Sequence, residues 1–131
     1  MISSLHRPTK ALIDLGAICD NIEAVKANIP EGKKAFAVVK ANAYGHGAKK
    51  VARAVHHLVD GFCVSNVDEA LELREAGIEE TILILGVIMP NEVALARDYD
   101  ITLTVASQEW LDLANEQDIS LKGVNVHLKV D

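Results

Sequence analysis

Residues 36–47 read Phe36-Ala37-Val38-Val39-Lys40-Ala41-Asn42-Ala43-Tyr44-Gly45-His46-Gly47. The apolar run before Lys40 does not alternate, which predicts a strand buried on both faces, as in a parallel sheet covered by helices. Lys40 ends that run, and the glycines beyond it demand a sharp turn. A strand that ends in an amine at such a turn places a nucleophile at the C-terminal edge of the sheet. That edge is where α/β folds gather their reactive groups. A lysine that merely closes a strand in solvent has no need of Asn42, Tyr44, Gly45 and Gly47 in the seven residues that follow.

Outward from this stretch, short apolar runs alternate with amphipathic segments. Strands are predicted over 35–40, 61–65, 81–86, 101–105 and 124–130. Residues 48–59 carry Val51, Val55 and Leu58 at helical spacing, and 67–76 repeat the pattern with Ala70, Leu71 and Leu73. Pro90 suits the first position of a helix reaching Tyr99. Ser107 can cap another that runs to Asn115 with Trp110 in its first turn. A further helix over 17–29, with Ile18, Ile22, Val25 and Ile29 on one stripe, follows the segment 10–15. Strand ends at Lys40, Ser65, Gly86, Val105 and Val130 recur every 19 to 25 residues, the length of one βα unit. Four such units and a fifth strand make one parallel α/β domain over 1–131, either half of a (β/α)8 barrel or an open doubly wound sheet.

Composition narrows the class. Half of the 131 residues are hydrophobic and only five are aromatic (Phe36, Tyr44, Phe62, Tyr99, Trp110), so the core is aliphatic. A net charge of −6 without a basic run argues against nucleic acid as a partner. No apolar stretch reaches membrane-spanning length. The first residues, with His6, Arg7 and Lys10, lack the apolar centre of a signal peptide. Cys19 in a helical pattern and Cys63 in a strand read as buried thiols of a reducing compartment, which predicts a cytoplasmic protein. His56 and His57 are adjacent on a helix and cannot share a face as metal ligands, so no metal site is predicted. Asp68 and Glu69 read as favouring a helix N-terminus through its dipole. Asp98 and Asp100 read as a solvated turn.

The stretch around Lys40 resembles the lysine motif of the alanine racemases, pyridoxal-phosphate enzymes that interconvert L- and D-alanine. Tyr44-Gly45-His46-Gly47 after the lysine makes the resemblance specific. It continues through Leu12-Ile13-Asp14-Leu15, Ala17-Ile18 and Asn21, then Asp68-Glu69-Ala70 with Leu73-Arg74. Ile82-Leu83-Ile84-Leu85-Gly86 and His127-Leu128-Lys129-Val130-Asp131 complete it, in family order. The resemblance covers essentially the whole chain but about a third of the family's usual length. It implies a partial (β/α)8 TIM-type barrel, with the remaining barrel and a C-terminal β domain lying outside these residues. The chain ends at Asp131 directly after an apolar strand, which reads as a fragment with two unpaired sheet edges.

An unperturbed lysine amine has a pKa of about 10.4 and is a poor nucleophile at neutral pH, and burial at a strand end disfavours its charged form. The resemblance implies that Lys40 binds pyridoxal 5'-phosphate covalently and, once freed, moves a proton on one face of the substrate α-carbon. Racemisation requires a second acid/base on the opposite face. In the family that is a tyrosine of the second domain, supplied by the partner subunit of a homodimer. Tyr44 matches the tyrosine whose hydroxyl meets the cofactor phosphate. Leu85 matches a leucine packed near the cofactor, and periodicity alone reads it equally well as barrel core. Lys129 shares its strand phase with Asn125 and His127, facing either the lumen or the helix layer. It aligns with a lysine carried by several family members as a carbamate, which orients an arginine expected just past Asp131.

The function implied is D-alanine supply for peptidoglycan, with alanine as substrate and with residues 1–131 inactive alone. Two other readings use the same strand-end lysine. One is a non-catalytic pyridoxal-phosphate barrel without a β domain. The other is a fold-type III decarboxylase, against which the Tyr-Gly-His-Gly sequence argues. A purely structural α/β module would leave the Lys40 constellation without a purpose.

Overall fold

The computed structural model describes His6 and residues 8–130; Arg7 and Asp131, used in the sequence reading, lie outside them. Five parallel strands form one sheet: β1 (Phe36–Val38), β2 (Gly61–Val64), β3 (Thr81–Ile84), β4 (Ile101–Val105) and β5 (Val126–Leu128). Their spatial order is β1-β2-β3-β4-β5, the order of the chain. A doubly wound sheet reverses its strand order at a switch point. This sheet never reverses, so the choice falls to the barrel-type winding, in which right-handed crossovers put every helix on one face.

The helices are α1 (Leu15–Lys26), α3 (Ala48–Val55), α4 (Val67–Glu75), α5 (Val93–Asp98) and α6 (Gln108–Glu116). A short helical turn, α2 (Lys40–Tyr44), follows β1. Helix starts obey local chemistry. Asp14 accepts from Ala17 N–H, Asn66 from Glu69 N–H and Ser107 from Trp110 N–H, each filling an orphan donor of a first turn. The Pro90 segment opens as a 3-10 turn over Pro90–Glu92 before α5.

Two helix ends differ from expectation. α1 stops at Lys26 rather than residue 29, because Ile29 precedes Pro30 and is steered out of the α region. α3 stops at Val55, and His56–Leu58 tighten into a 3-10 turn. That shortening delivers Asp60 to the sheet, where its N–H donates to the Ala35 carbonyl and its carboxylate accepts from Ala35 N–H.

Alternate strand residues make the core. Phe62, Val64, Ile82, Ile84, Ile101, Leu103 and Val105 face the helices and pack with Val51, Val55, Leu73, Val93 and Trp110. Fully burying each large aliphatic side chain stabilises the fold by about 1.5–3 kcal/mol. Trp110 keeps its polar atom satisfied, its indole N–H donating to the Ile88 carbonyl at 2.6 Å. Cys63 is buried as expected, whereas Cys19 is only half-buried on α1, a helix with no fully buried residue. The outermost strands are the least covered, and β5 is exposed throughout.

Candidate active site

The strand residues that do not face the helices build the other side of the sheet. Val38, Cys63, Leu83 and Thr102 lie in register across β1 to β4, and Thr104 pairs with His127 of β5. Beyond them, past the C-terminal strand ends, come Lys40, Ser65, Leu85 and Lys129 in the same phase. Lys40, Ser65, Leu83, Leu85, Gly86, Thr104, His127, Leu128 and Lys129 line one open cavity of ≈ 550 Å³. The two amines therefore come from the two outermost strands yet share a cavity. Lys129 belongs to the sheet face away from the helices, which decides between the two orientations its alternation allowed.

The walls are locked by the sheet itself. Thr104 Oγ1 donates to the Ile84 carbonyl at 2.7 Å, which satisfies a buried hydroxyl. Leu85 N–H donates to the Val64 carbonyl at 2.8 Å, carrying the ladder one residue past β3. A Cβ on Gly86 would sit 2.4 Å from the Ser65 carbonyl oxygen, so only glycine lets the exit of β3 pass the end of β2. Burial pushes the Cys63 thiol up, which keeps it protonated and unreactive on the cavity side of β2.

The segment after Lys40 is unusual. Ala41, Asn42, Ala43 and Tyr44 have φ of 51, 56, 52 and 54°, so four consecutive non-glycine residues are left-handed. The left-handed conformation costs roughly 1–2 kcal/mol per residue, so the turn is a strained element that its surroundings must hold. Ala43 N–H donates to the Val39 carbonyl at 2.8 Å, and Gly47 N–H to the Asn42 carbonyl at 2.9 Å. The Asn42 side chain accepts from Ala48 N–H at 2.8 Å and so fills an orphan donor at the start of α3. His46 Nδ1 lies 2.9 Å from the Ala43 carbonyl. Gly45, with φ 91°, closes the turn where a side chain would add further strain.

Tyr44, the last left-handed residue, is 61% exposed and lies on the turn rather than in the cavity wall. Lys40, Leu85 and Lys129 are thus brought together, and Tyr44 lies outside that wall on the element that follows the lysine.

One group was assigned differently by the sequence reading. Glu69, read as a helix-dipole carboxylate, accepts from Ala41 N–H at 2.8 Å and from Ser65 N–H at 2.7 Å. The signal was present in Asn66-Val67-Asp68-Glu69, the spacing of a capping box, in which the glutamate turns back toward the N-terminus of its own helix. At the far end of α4, Arg74 donates to the carbonyls of Ile78, Glu80, Tyr99 and Asp100.

Residues 13–131 match the family model for the alanine racemase N-terminal domain. The alanine racemase of Streptococcus agalactiae serotype Ia is 61% identical over 131 residues, which cover 100% of this chain and 36% of the relative. That of Streptococcus uberis is 63% identical with the same coverage. Among solved structures, alanine racemase from E. faecalis matches with a TM-score of 0.89 at 48% identity, covering 100% of this chain and 36% of that one. The histidine racemase from Leuconostoc mesenteroides subsp. sake matches with a TM-score of 0.70 at 28% identity, over 86% of this chain and 34% of that one. The chain therefore spans about a third of the length of these relatives. A match that runs through the lysine strand, the turn and all five strands at such identity is more than shared architecture, and the chain belongs to the alanine racemase family.

Proposed function

We propose that residues 1–131 are the N-terminal part of the barrel of a pyridoxal-phosphate-dependent alanine racemase, and that Lys40 is its cofactor lysine. The observation that carries this reading is the place of Lys40. Its amine-bearing side chain stands two residues past β1 in the wall of a cavity with Leu83 and Leu85 as apolar surface, in a chain matched end to end by alanine racemases. The residues fit the cofactor: Lys40 would hold its aldehyde carbon, Tyr44 its phosphate, and Leu85 would pack against its ring. When bound, pyridoxal phosphate supplies an electron sink that makes the substrate α-proton acidic.

The protein's own part is positioning and proton transfer. The Lys40 amine takes and returns a proton at the alanine α-carbon from one face. A base on the other face completes inversion, and it comes from outside residues 1–131. Lys129 serves as a carbamate: its neutral amine adds to carbon dioxide with loss of a proton and becomes an anion that orients an arginine at the substrate carboxylate. The full-length enzyme is a cytoplasmic homodimer that supplies D-alanine for the cell wall. Among the described residues, no helix is long and apolar enough to cross a membrane.

The test is D-alanine formation from L-alanine by the full-length enzyme with pyridoxal phosphate, beside residues 1–131 alone. Turnover by the full-length enzyme and none by the segment is the expected result. No turnover by the full-length enzyme would overturn the reading. Comparable turnover by the segment would overturn the assignment of the second base to the remainder of the protein.

A further inference from the structure

We propose that Glu69 is the positioning residue of Lys40, its carboxylate replacing the sheet rung that would otherwise bind Lys40 into β1. In a parallel ladder each rung joins one residue of a strand to its neighbour through two N–H donors. Val38 pairs with Cys63, and Val39 N–H donates to the Cys63 carbonyl at 2.9 Å. The next rung would pair Lys40 with Ser65. It would need Ser65 N–H on the Val39 carbonyl and Ala41 N–H on the Ser65 carbonyl.

The left-handed turn takes one of the two acceptors of that rung. The Val39 carbonyl takes Ala43 N–H at 2.8 Å. The Ser65 carbonyl faces Gly86, where a Cβ would come within 2.4 Å. The two donors of the missing rung, Ala41 N–H and Ser65 N–H, go instead to the two oxygens of Glu69, at 2.8 and 2.7 Å. Glu69 is itself fixed by the Asn66 side chain, which accepts from Glu69 N–H at 2.9 Å. One carboxylate thus releases Lys40 from the sheet while tying the residue after it to the end of β2. Only an anion with two acceptor oxygens does this. Glutamine would offer one oxygen and set its amide donor against an N–H.

The proposal rests on Lys40 being the cofactor lysine, and the experiment separates the two. In the full-length apoenzyme, borohydride trapping of pyridoxal phosphate on Lys40 is timed for wild type, Glu69→Gln and Ser107→Ala. Amide hydrogen exchange is followed at Ala41 and Ser65. Glu69→Gln is expected to slow trapping between about tenfold and a hundredfold, since small misplacements of a reacting group have effects of that size. In the loaded enzyme it lowers kcat by a similar factor, with KM for alanine within about threefold, because the loss falls on the reacting geometry rather than on substrate binding. Ser107→Ala, which removes the α6 cap and touches neither Glu69 nor the cavity, lowers Tm without slowing trapping. Wild-type trapping and kcat in a folded Glu69→Gln variant would overturn the proposal. If that variant does not fold, rapid exchange of Ala41 and Ser65 amides in the wild type would overturn it equally, and protection would support it. Labelling of a lysine other than Lys40 in the wild type would sink the cofactor assignment while leaving the Glu69 hydrogen bonds standing.

Discussion

The two ends of α4 solve opposite problems. At its N-terminus, beside the cavity, Glu69 accepts from two backbone N–H groups that the left-handed turn leaves over. At its C-terminus, at the opposite edge of the sheet, Arg74 donates to four carbonyls left over by the loops that enter β3 and β4. Both charges serve backbone rather than each other. The difference lies in what is held. Arg74 fastens turns in which a single non-glycine residue, Asp100 at φ 49°, is left-handed, so its work is stability. Glu69 holds a segment that sterics oppose, and such strain persists where a reactive group must be presented. The division follows the barrel rule that places chemistry at the C-terminal strand ends and stability at the N-terminal ends.

The contrast can be broken from either end. The largest effect is expected from Lys40→Ala in the full-length enzyme, which should lower kcat by roughly a thousandfold or more while urea unfolding changes little. Arg74→Met should do the reverse. Losing charge-assisted hydrogen bonds to four carbonyls should cost about 2–4 kcal/mol of unfolding free energy, read from the shift of the urea midpoint, with kcat per folded molecule unchanged. Burial pushes the Arg74 guanidinium pKa down, but from so high a value that it stays charged at every pH at which the protein folds.

The turn itself offers a subtler test. Ala41 is exposed at φ 51°, so Ala41→Gly removes left-handed strain but also loosens the unfolded chain. The net is a gain of about 0.5–1 kcal/mol. A loss of stability there would mean that the turn is not strained. The smallest effect concerns Cys63. Because burial raises its pKa and favours the neutral thiol, alkylation at pH 8 should be slower at Cys63 than at half-buried Cys19. Equal rates, read by peptide mapping, would place Cys63 in solvent.

Much of this was legible before the structure. The five strands fall where the apolar runs predict them, because a strand buried on both faces leaves an unbroken hydrophobic signature. Of the candidate residues Lys40, Tyr44, Leu85 and Lys129, all but Tyr44 line one cavity. Strand order was not legible from the apolar runs, since a run of βα units is the same text in a barrel and in a doubly wound sheet, and only the family resemblance pointed to the barrel. Nor was the left-handed turn: Ala41-Asn42-Ala43-Tyr44 has no glycine, and propensity alone would make it right-handed. Glu69 was misread for a related reason. Its position three residues after Asn66 is explained locally, while its partner Ala41 lies 28 residues away and is reached only through the fold.

The most direct test of Lys40 as the cofactor lysine is borohydride reduction of the full-length enzyme with pyridoxal phosphate, followed by peptide mapping. The pyridoxyl group is expected on Lys40 and absent from the Lys40→Ala variant. Its appearance on Lys49, Lys50 or Lys129 in the wild type would contradict the assignment.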